Sequence, residues 1–459
     1  MTALLDPSDP RPVHFVGIGG AGMTALAELC VRRGVTVNGC DADADGARDV
    51  RALGVTVQSG HDPSHVKGAR AVVYSSALSR DHPELVAARA AGLPVIRRAE
   101  ALAEAVQGSR VIGVAGTHGK TTTTVMTTEA LASAGFDPTG IVGGRVASWD
   151  GNFRRGGTNL HVVEADEFDR SFLALDPDVA VVTNIEADHL DVYRDLAEIE
   201  ATFAEYVADA RSLVACADDA GANRLRAPSS AEVVRYGVTS RDARLVARDL
   251  RTEAGNSAFS VWFDGEPAGE IVLRVPGEHN VLNALAALAV GLLWGATVEA
   301  LAPGLAAFTG VERRFQRLGE SGGVALVDDY AHHPTEIRAT IAAARNAYPG
   351  RRLVLAFQPH LFTRTRDFAT EFGSALAGAD VVFLTDIYAA REDPIAGVTS
   401  ALIADAVRGA GGTLAWCGPR DALVAALAAD LRAGDVTLTV GAGDIAKAGP
   451  ELIERLAKR

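Results

Sequence analysis

The chain has little cysteine, little lysine and no long apolar run, and each shortage excludes a class of protein. Its four cysteines do not stand at metal-ligand spacing from one another, so we expect reduced thiols rather than disulfides. The longest apolar stretch, residues 284–296, is too short to span a membrane and predicts a buried helix. The first twelve residues lack a basic region followed by an apolar run. No signal peptide is therefore expected, and the prediction is a cytoplasmic protein.

The charge of the chain narrows the choice of partners. Its formal net charge is −14, which disfavours generic binding to nucleic acid or to an anionic membrane surface. An anionic ligand would need a local cluster of Lys, Arg, backbone N–H groups or a metal. Lysine is so rare that Lys120 is one of only four in the 459 residues.

The order of predicted elements indicates the fold class. Strand-like runs alternate with Ala/Leu-rich helical runs over most of the chain, which predicts an α/β fold with parallel sheets. We predict three units, at residues 1–108, 109–318 and 319–459, and expect the third to begin with a strand near Val324. Within the second unit, residues 241–276 show short polar-apolar alternations with Gly and Asp, typical of a β-rich edge.

A glycine-rich turn follows the first predicted strand and opens a helical run. It has the sequence Gly17-Ile-Gly-Gly-Ala-Gly22, and Asp41 stands at the end of the next predicted strand. Glycines let the backbone approach a diphosphate, and the helix N-terminus favours negative charge. Asp41 occupies the place of a ribose-binding acid. The pattern predicts nucleotide binding without identifying the nucleotide, and a tight structural turn is the alternative.

A second glycine-rich turn, again between a strand and a helix, predicts a triphosphate-binding loop. Its sequence is Gly116-Thr-His-Gly119-Lys120-Thr121-Thr, with Val114 where the strict phosphate-loop pattern has its first glycine. The two glycines allow the loop to curl around phosphates. Lys120 can reach the β- and γ-phosphates, and the Thr121 hydroxyl can coordinate Mg²⁺. A chance Gly-Lys-Thr turn is the alternative.

Carboxylates at neighbouring strand ends predict a magnesium site beside this loop. Mg²⁺ prefers oxygen ligands and usually keeps several waters. One predicted strand ends at Glu164, and the next is followed by a run that contains His189. We expect both strand ends to face the loop across a parallel sheet, with Glu164 and His189 as metal candidates. Alone, His189 would be better explained by a structural role.

Further polar clusters lie at the start of a helix and after later strands. Asn280 and Asn283 open the long apolar helix, where an Asn cap on a core helix is the alternative. In the third unit, His332 follows one predicted strand, and His360 and Arg364 follow another. Open α/β sheets bind ligands at these carboxyl ends. In an acidic protein, cations placed there suggest capture of a carboxylate.

Taken together, these residues resemble the Mur ligase family. The resemblance covers essentially the whole chain and keeps the order of the motifs GIGGAGM, GTHGKTT, VEADE, TNIEADHLD, PGEHNVLNA, RRF, DDYAHHPTE and FQPH…RTRD. It implies three domains: an N-terminal Rossmann-like domain that binds UDP, a central P-loop ATPase-like domain for ATP and Mg²⁺, and a C-terminal Rossmann-like domain for the amino acid. It also implies ATP-dependent ligation of L-alanine to the lactyl carboxylate of UDP-N-acetylmuramate through an acyl phosphate, a step of peptidoglycan precursor synthesis.

The resemblance also implies roles for individual residues. Catalytic roles fall on Lys120, His332, His360 and Arg364. The metal positions are Thr121, Glu164 and His189. The positions around ATP are Gly116, Thr117, His118, Gly119, Lys120, Thr121, Thr122, Asn280, Asn283, Arg314 and Asp329. The positions around the UDP substrate are Gly17, Gly19, Gly20, Gly22, Asp41 and Ser75.

Three departures from the family pattern matter. Several relatives carry a carbamylated lysine as a metal ligand, but this sequence has no lysine between Lys120 and Lys447, which fits the alanine-adding branch. Phe168 replaces a small polar residue expected after VEADE. Leu361 follows His360 where many relatives have arginine, so that contact must be lost or supplied by Arg364 or Arg366.

Three other functions stay open from the sequence. A murein-recycling ligase that joins a tripeptide to the same UDP-sugar shares much of the motif set. A nicotinamide-dependent oxidoreductase would rest on the first turn alone and leave GTHGKTT unexplained. A nucleotide-switched interaction protein would bind ATP without turnover when an amine is added. The sequence is also consistent with either a monomer or a homodimer.

Overall fold

The computed structural model describes residues 6–240, 243–253 and 255–458. Within these ranges it shows three α/β units, each built on its own sheet, so the predicted α/β fold class with three domains is confirmed. The first five residues considered for a signal peptide lie outside the described ranges, as do residues 241, 242 and 254 of the predicted β-rich segment. The rest of that segment is a three-stranded antiparallel meander, as expected of a β-rich edge.

The first unit is a parallel five-stranded sheet with strand order β3-β2-β1-β4-β5. Its elements are β1 (Val13–Val16), α1 (Ala21–Arg32), β2 (Val37–Asp41), α2 (Arg48–Ala52), β3 (Thr56–Ser59), β4 (Ala71–Tyr74), α3 (Pro83–Ala90), β5 (Val95–Arg97) and α4 (Arg98–Val106). The central strand β1 is buried at every position, as parallel strands covered on both faces are. The order of strands reverses between β1 and β4, which creates a ligand-binding crevice at their carboxyl ends.

The second unit contains a ten-stranded sheet with order β15-β14-β13-β12-β11-β10-β6-β9-β7-β8. Its strands are β6 (Arg110–Ala115), β7 (Thr139–Val146), β8 (Gly151–Arg154), β9 (Leu160–Glu164), β10 (Val179–Val182), β11 (Ser212–Cys216), β12 (Glu232–Gly237), β13 (Leu245–Glu253), β14 (Asn256–Phe263) and β15 (Glu266–Leu273). Its helices are α5 (Lys120–Ser133), α6 (Leu196–Tyr206), α7 (Ala220–Arg224), α8 (Glu278–Leu293) and α9 (Val298–Ala307). Strand β6 lies between β9 and β10, so the expectation that both strand ends flank the glycine-rich loop is confirmed.

The third unit contains a six-stranded sheet with order β16-β17-β21-β18-β19-β20. Its strands are β16 (Gln316–Ser321), β17 (Val324–Asp329), β18 (Leu353–Phe357), β19 (Val381–Thr385), β20 (Leu414–Gly418) and β21 (Val436–Val440). Its helices are α10 (Pro334–Ala347), α11 (Phe362–Leu376), α12 (Ala401–Gly409), α13 (Arg420–Asp430) and α14 (Ala448–Leu456). The prediction that the unit begins near Val324 was wrong by one strand, since β16 pairs antiparallel with β17 at the sheet edge. None of its six residues is fully buried, so β16 lacks the apolar run of a buried strand.

The cores show how the units are joined. A single apolar cluster runs from the first unit into the second, while two separate clusters cover the two faces of the third sheet. Helix α1 packs on β7 and β8, where the Asn152 amide donates a hydrogen bond to the carbonyl of Ala21. The third unit instead meets the second largely through charged and polar side chains, as described below. Within the described residues, no helix is both long and apolar enough to cross a membrane.

Candidate active site

The second glycine-rich turn is a loop that is pinned to the neighbouring strand. Gly116 and Gly119 have φ of +136° and +82°, and Gly119 is the residue before α5. A Cβ on Gly116 would collide with the hydroxyl and backbone of Thr183, so the close approach requires glycine. Asn184 fixes the loop from the same side, because its side-chain oxygen accepts the N–H of His118 at 2.8 Å. The N–H groups that open α5 therefore face an open cleft, as an anion site needs.

Lys120 is folded back over this loop. Its Nζ donates to the carbonyl oxygens of Gly116 and Thr117 at 2.8 and 3.2 Å and to the Glu167 carboxylate at 2.7 and 2.9 Å. Burial alone would lower the pKa of Lys120, but the carboxylates of Glu167, Asp166 and Glu164 together outweigh burial and raise that pKa above its ordinary value. The ammonium is thus charged and held at the mouth of the loop. Sequence reasoning did not single out Glu167, although it lies in the VEADE motif.

The two predicted oxygen ligands for magnesium lie together. The Thr121 hydroxyl donates to one carboxylate oxygen of Glu164 at 2.9 Å, and the N–H of Gly143 donates to the other at 2.6 Å. Neighbouring ligands of an octahedral Mg²⁺ with bonds of about 2.1 Å lie about 3 Å apart, so this oxygen pair fits the ion.

His189 lines the same cleft as Glu164. Its backbone is left-handed, with φ of +53°, and its Nε2 lies 3.8–3.9 Å from the carboxylates of Asp188 and Glu167. Its Nδ1 is buried and has no hydrogen-bond partner among the described residues. An imidazole within 4 Å of two carboxylates, in the cleft that Glu164 also lines, suits a cation, so the residues present fit the predicted metal.

The four later positions predicted around ATP line one cavity with the loop. Asn280 and Asn283 open α8, where Thr123 donates to the Asn283 side-chain oxygen at 3.0 Å. Asp329 ends β17 and accepts the N–H groups of Phe315 and Ala331 at 2.9 and 2.8 Å. Burial raises the pKa of Asp329 to about 6, although the charge of Arg314 opposes the rise.

A histidine–carboxylate cluster on the wall of this cavity was missed from sequence. His118 of the loop lies 3.5 Å from Glu186 and 3.3 Å from Glu336, and Thr335 donates to Glu186 at 2.7 Å. Burial would lower the pKa of His118, but Glu336 and then Glu186 raise it to about 9. Glu336 is the third residue of α10, two positions after Pro334, and it caps the helix N-terminus together with His333. A proline followed two positions later by glutamate is a helix-start signal, and that signal could have identified Glu336 from the sequence.

The three predicted catalytic residues of the third unit meet the loop in a second, adjoining cleft. Arg364 is 5% exposed and donates to Asp188 of the second unit at 2.6 and 3.1 Å. It also donates to Nδ1 of His360 at 3.3 Å. Burial lowers the pKa of His332 to about 3 and that of His360 to about 4, so both imidazoles are neutral at pH 7. Burial would raise the pKa of Asp188, but Arg364 holds it well below its ordinary value.

The departures Phe168 and Leu361 lie at the rim of this cleft. The Phe168 ring meets the His189 ring edge-on at 5.1 Å, and the Arg391 guanidinium lies 4.5 Å from its centroid. Arg391 in turn binds Asp191 of the second unit at 2.9 Å. Leu361, the residue before α11, is buried and has φ of +71°. Arg364, in the first turn of α11, lines the same cleft as Leu361.

The first glycine-rich turn borders the same region. The N–H groups of Gly17 and Ile18 donate to the carbonyl of Cys40, and the Gly19 N–H donates to the Asp41 carboxylate at 2.8 Å. Helix α1 begins at Ala21, which lines the cleft that contains Lys120.

Two further residues lie beside this turn. A Cβ on Gly22 would lie 3.0 Å from Nη1 of Arg98, a cation beside the turn that sequence reasoning did not identify. Ser75 follows β4, next to β1 in the sheet, and its hydroxyl oxygen accepts the N–H of Ala77 at 3.2 Å.

Family models match each of the three units. Residues 12–110 match the Mur ligase family, catalytic domain, residues 114–291 the Mur ligase middle domain, and residues 313–443 the Mur ligase, glutamate ligase domain. Together these matches cover most of the chain.

Full-length relatives and solved structures agree with the family models. The chain is 49% identical to a UDP-N-acetylmuramate–L-alanine ligase of Acidothermus cellulolyticus, over 97% of this chain and 95% of that protein. It is 46% identical to the ligase of the same name from Cutibacterium acnes, over 98% and 97% of the two chains. The crystal structure of UDP-N-acetylmuramate-alanine ligase from Thermotoga maritima superposes with a TM-score of 0.82 at 28% identity, over 97% and 99% of the chains. The chain therefore belongs to the Mur ligase family.

Proposed function

We propose that the chain ligates L-alanine to the lactyl carboxylate of UDP-N-acetylmuramate at the expense of ATP, with ADP and phosphate as the other products. One observation carries the proposal: a single cleft is lined by the phosphate loop, by the first turn at Ala21, and by His360 and Arg364 of the third unit. A nucleotide, a UDP-linked carboxylate and an amino acid can thus meet in one place. The reaction would be a cytoplasmic step of peptidoglycan precursor synthesis.

The names of the relatives favour alanine as the amino acid. Relatives at 44–49% identity over nearly the full length are named UDP-N-acetylmuramate–L-alanine ligase. A murein peptide ligase of Psychrobacter arcticus has a TM-score of 0.71 at 24% identity, which supports only a common fold. A recycling ligase for a tripeptide is therefore the less supported alternative.

We further propose a division of labour among the units. Residues 1–108 would hold the UDP part of the substrate, residues 109–318 the ATP, and residues 319–459 the amino acid. In the first unit, the substrate positions would be Gly17, Gly19, Gly20, Gly22, Asp41 and Ser75. Binding of the diphosphate there would require the Asp41 carboxylate to move from the Gly19 N–H that it now occupies.

In the first step, an oxygen of the lactyl carboxylate attacks the γ-phosphorus of ATP in line. The bond from that phosphorus to the β–γ bridging oxygen breaks, ADP leaves, and an acyl phosphate remains. Lys120 neutralises charge on the transferring phosphoryl group once the phosphates displace Glu167 from its ammonium. The N–H groups at the start of α5 hold the phosphates in place. Bound at Thr121, Glu164 and His189, magnesium would supply further neutralisation of phosphate charge.

In the second step, the neutral amine of alanine attacks the acyl carbon, and phosphate leaves from the tetrahedral intermediate. The proton that the amine releases leaves with the phosphate, which is a stronger base than imidazoles with a pKa of about 3 and 4; His332 and His360 line the cleft as neutral groups that can accept a hydrogen bond from the incoming amine. Arg364 lies on the same side and can bind the alanine carboxylate. The contact between the second and third units keeps water away from the acyl phosphate, which water would otherwise hydrolyse.

The test is phosphate release from ATP with UDP-N-acetylmuramate and a panel of amino acids, with the ligated product identified by mass spectrometry. We expect release to require both the UDP-sugar and L-alanine. Product formation with the tripeptide L-alanyl-D-glutamyl-diaminopimelate but not with alanine would favour the recycling ligase. Phosphate release without any ligated product would contradict both.

A further inference from the structure

The first unit contains a group of metal-donor side chains away from the cleft described above. His14 of β1 and Cys40 of β2 project from the same face of the parallel sheet towards Glu84 of α3. All three are fully buried. His61 and His65, which follow β3, complete the shell around the Glu84 carboxylate. The first unit thus gathers imidazole, thiol and carboxylate ligands from four segments of chain.

Four of the six ligand pairs in this cluster have separations close to those between ligands of a tetrahedral metal, and the donor atoms of His14, Cys40 and Glu84 all lie within 4.8 Å of one another. The sulfur of Cys40 lies 3.6 Å from Nε2 of His14, 3.4 Å from Nδ1 of His61, and 3.0 and 3.2 Å from the Glu84 oxygens. Nδ1 of His61 is 3.6 Å from a Glu84 oxygen. A zinc ion with bonds of about 2.3 Å to sulfur and about 2.0 Å to nitrogen separates those two atoms by about 3.6 Å.

The outer contacts also orient the donors. Nδ1 of His14 lies 2.9 Å from the side-chain oxygen of Asn38, so a proton on Nδ1 is held there and the Nε2 lone pair faces Cys40. His65 binds the second oxygen of Glu84 at 2.8 Å, as does the N–H of Asp62 at 2.9 Å. Hydrogen bonds of this kind to the far side of each ligand are typical of metal sites.

The buried charge of Glu84 has no permanent counterion among the described residues. Its side-chain partners are Cys40, His61 and His65, and no lysine or arginine forms an ion pair with it. Hydrogen bonds from Cys40, His65 and the N–H of Asp62 compensate part of the cost of a carboxylate that is fully removed from water, and a divalent cation would compensate it further. His82 adds a further donor, since its Nδ1 is buried without a hydrogen-bond partner within the described part of the chain and its ring lies 4.7 Å from that of His61.

We propose that His14, Cys40 and Glu84, with His61 as the fourth ligand, form a binding site for a zinc-class divalent transition metal. Thiolate and imidazole ligands select zinc over magnesium, which prefers oxygen. The side chain of His61 is 24% exposed, so it provides the entry path to the buried donors. The metal would tie β2 and the segment after β3 to α3, next to Asp41 at the end of β2, whose carboxylate accepts the Gly19 N–H of the glycine-rich turn. The inference does not depend on the proposed ligase activity.

The first test measures zinc affinity without an activity readout. The full-length chain is titrated with zinc in competition with a chromophoric chelator, beside the variants Cys40→Ser and Glu84→Gln and the control Cys30→Ser. Cys30 is also buried in the first unit but belongs to α1, so its loss should not matter. We expect the wild type and the control each to bind one zinc ion per chain tightly. Loss of either ligand should weaken zinc binding by more than about 100-fold, which exceeds the usual effect of losing a hydrogen bond to a metal ligand.

A second measurement keeps the proposal testable if a variant fails to fold. Cobalt replaces zinc in the wild-type chain, and the absorption spectrum reports thiolate ligation and tetrahedral geometry directly. We expect a thiolate-to-cobalt charge-transfer band that the Cys30→Ser control retains and Cys40→Ser loses. Any of three results would overturn the proposal. These are a wild-type chain that binds no zinc tightly, a cobalt spectrum without the charge-transfer band, and a folded Cys40→Ser variant that keeps full zinc affinity. The cluster would then be a hydrogen-bond network around Glu84.

Discussion

Among the ion pairs that join the second and third units, two between arginine and aspartate should differ greatly in strength. The pair between Arg364 and Asp188 has side chains that are only 5% and 6% exposed, at 2.6 Å. The pair between Arg391 and Asp191 has side chains that are 40% and 24% exposed, at 2.9 Å. The substitutions Asp188→Asn and Asp191→Asn each remove one charge from the same interface with almost no change in shape. The exposed pair is therefore a matched control for the buried one.

The expected magnitudes follow from burial. Removal of one partner from a buried pair costs about 3–5 kcal/mol, since the other charge is left unpaired out of water. An exposed pair contributes about 0–1 kcal/mol, because solvent screens both charges. The free energy that holds the two units together should therefore fall by at least about 2 kcal/mol more in Asp188→Asn than in Asp191→Asn. That difference corresponds to a factor of about 30 in the equilibrium constant for separation of the second and third units.

Backbone hydrogen exchange measures that equilibrium locally. In the regime where exchange follows the population of open molecules, the exchange rate scales with the opening constant. Peptides that cover residues 183–193 and 358–368 should exchange about 30-fold faster in Asp188→Asn than in Asp191→Asn. Peptides from the first unit should be unchanged in both variants. Equal rates in the two variants would refute the argument that the buried pair holds the units together.

Three further predictions concern the loop, pH and packing. Lys120→Met should lower kcat for ADP formation by about 10²–10³-fold and leave binding of the UDP substrate nearly intact in calorimetry. Because the pKa of His118 is raised to about 9, the stability that its charged form gives the folded chain is fully present below pH 6.5 and is lost as the pH rises through 9. Urea unfolding should show a loss on the order of 3 kcal/mol over that window, absent in His118→Gln. Gly304→Ala should lower the melting temperature, because its Cβ would collide with the backbone of Glu129 in α5.

Much of the fold and part of the candidate site could be predicted because their signals are local. The loop around Lys120 shows its glycines, lysine and threonines within seven residues, and the strand that precedes it is apolar and buried from Val111 to Ala115. The long apolar run predicted a buried helix, and α8 is buried along most of its length. The β-rich edge was predicted from short alternations, and β14 alternates between buried and partly covered positions over most of its length.

The contacts that were missed join residues far apart in the chain. Glu167 binds Lys120 across 47 positions, and Asp188 binds Arg364 across 176. Neither carboxylate differs in sequence from the acids beside it, so only the sheet order and the docking of the third unit distinguish them. Cys40 was expected to be an ordinary reduced thiol because no cysteine stands near it in sequence. Its histidine and carboxylate neighbours come from other strands and from α3.

The acyl phosphate is the central chemical claim, and an isotope experiment tests it most directly. UDP-N-acetylmuramate labelled with heavy oxygen in the lactyl carboxylate is incubated with ATP, L-alanine and the chain. If the carboxylate attacks the γ-phosphorus, one labelled oxygen must leave with inorganic phosphate, and mass spectrometry should detect one heavy atom per phosphate released. Unlabelled phosphate accompanied by ligated product would contradict the account.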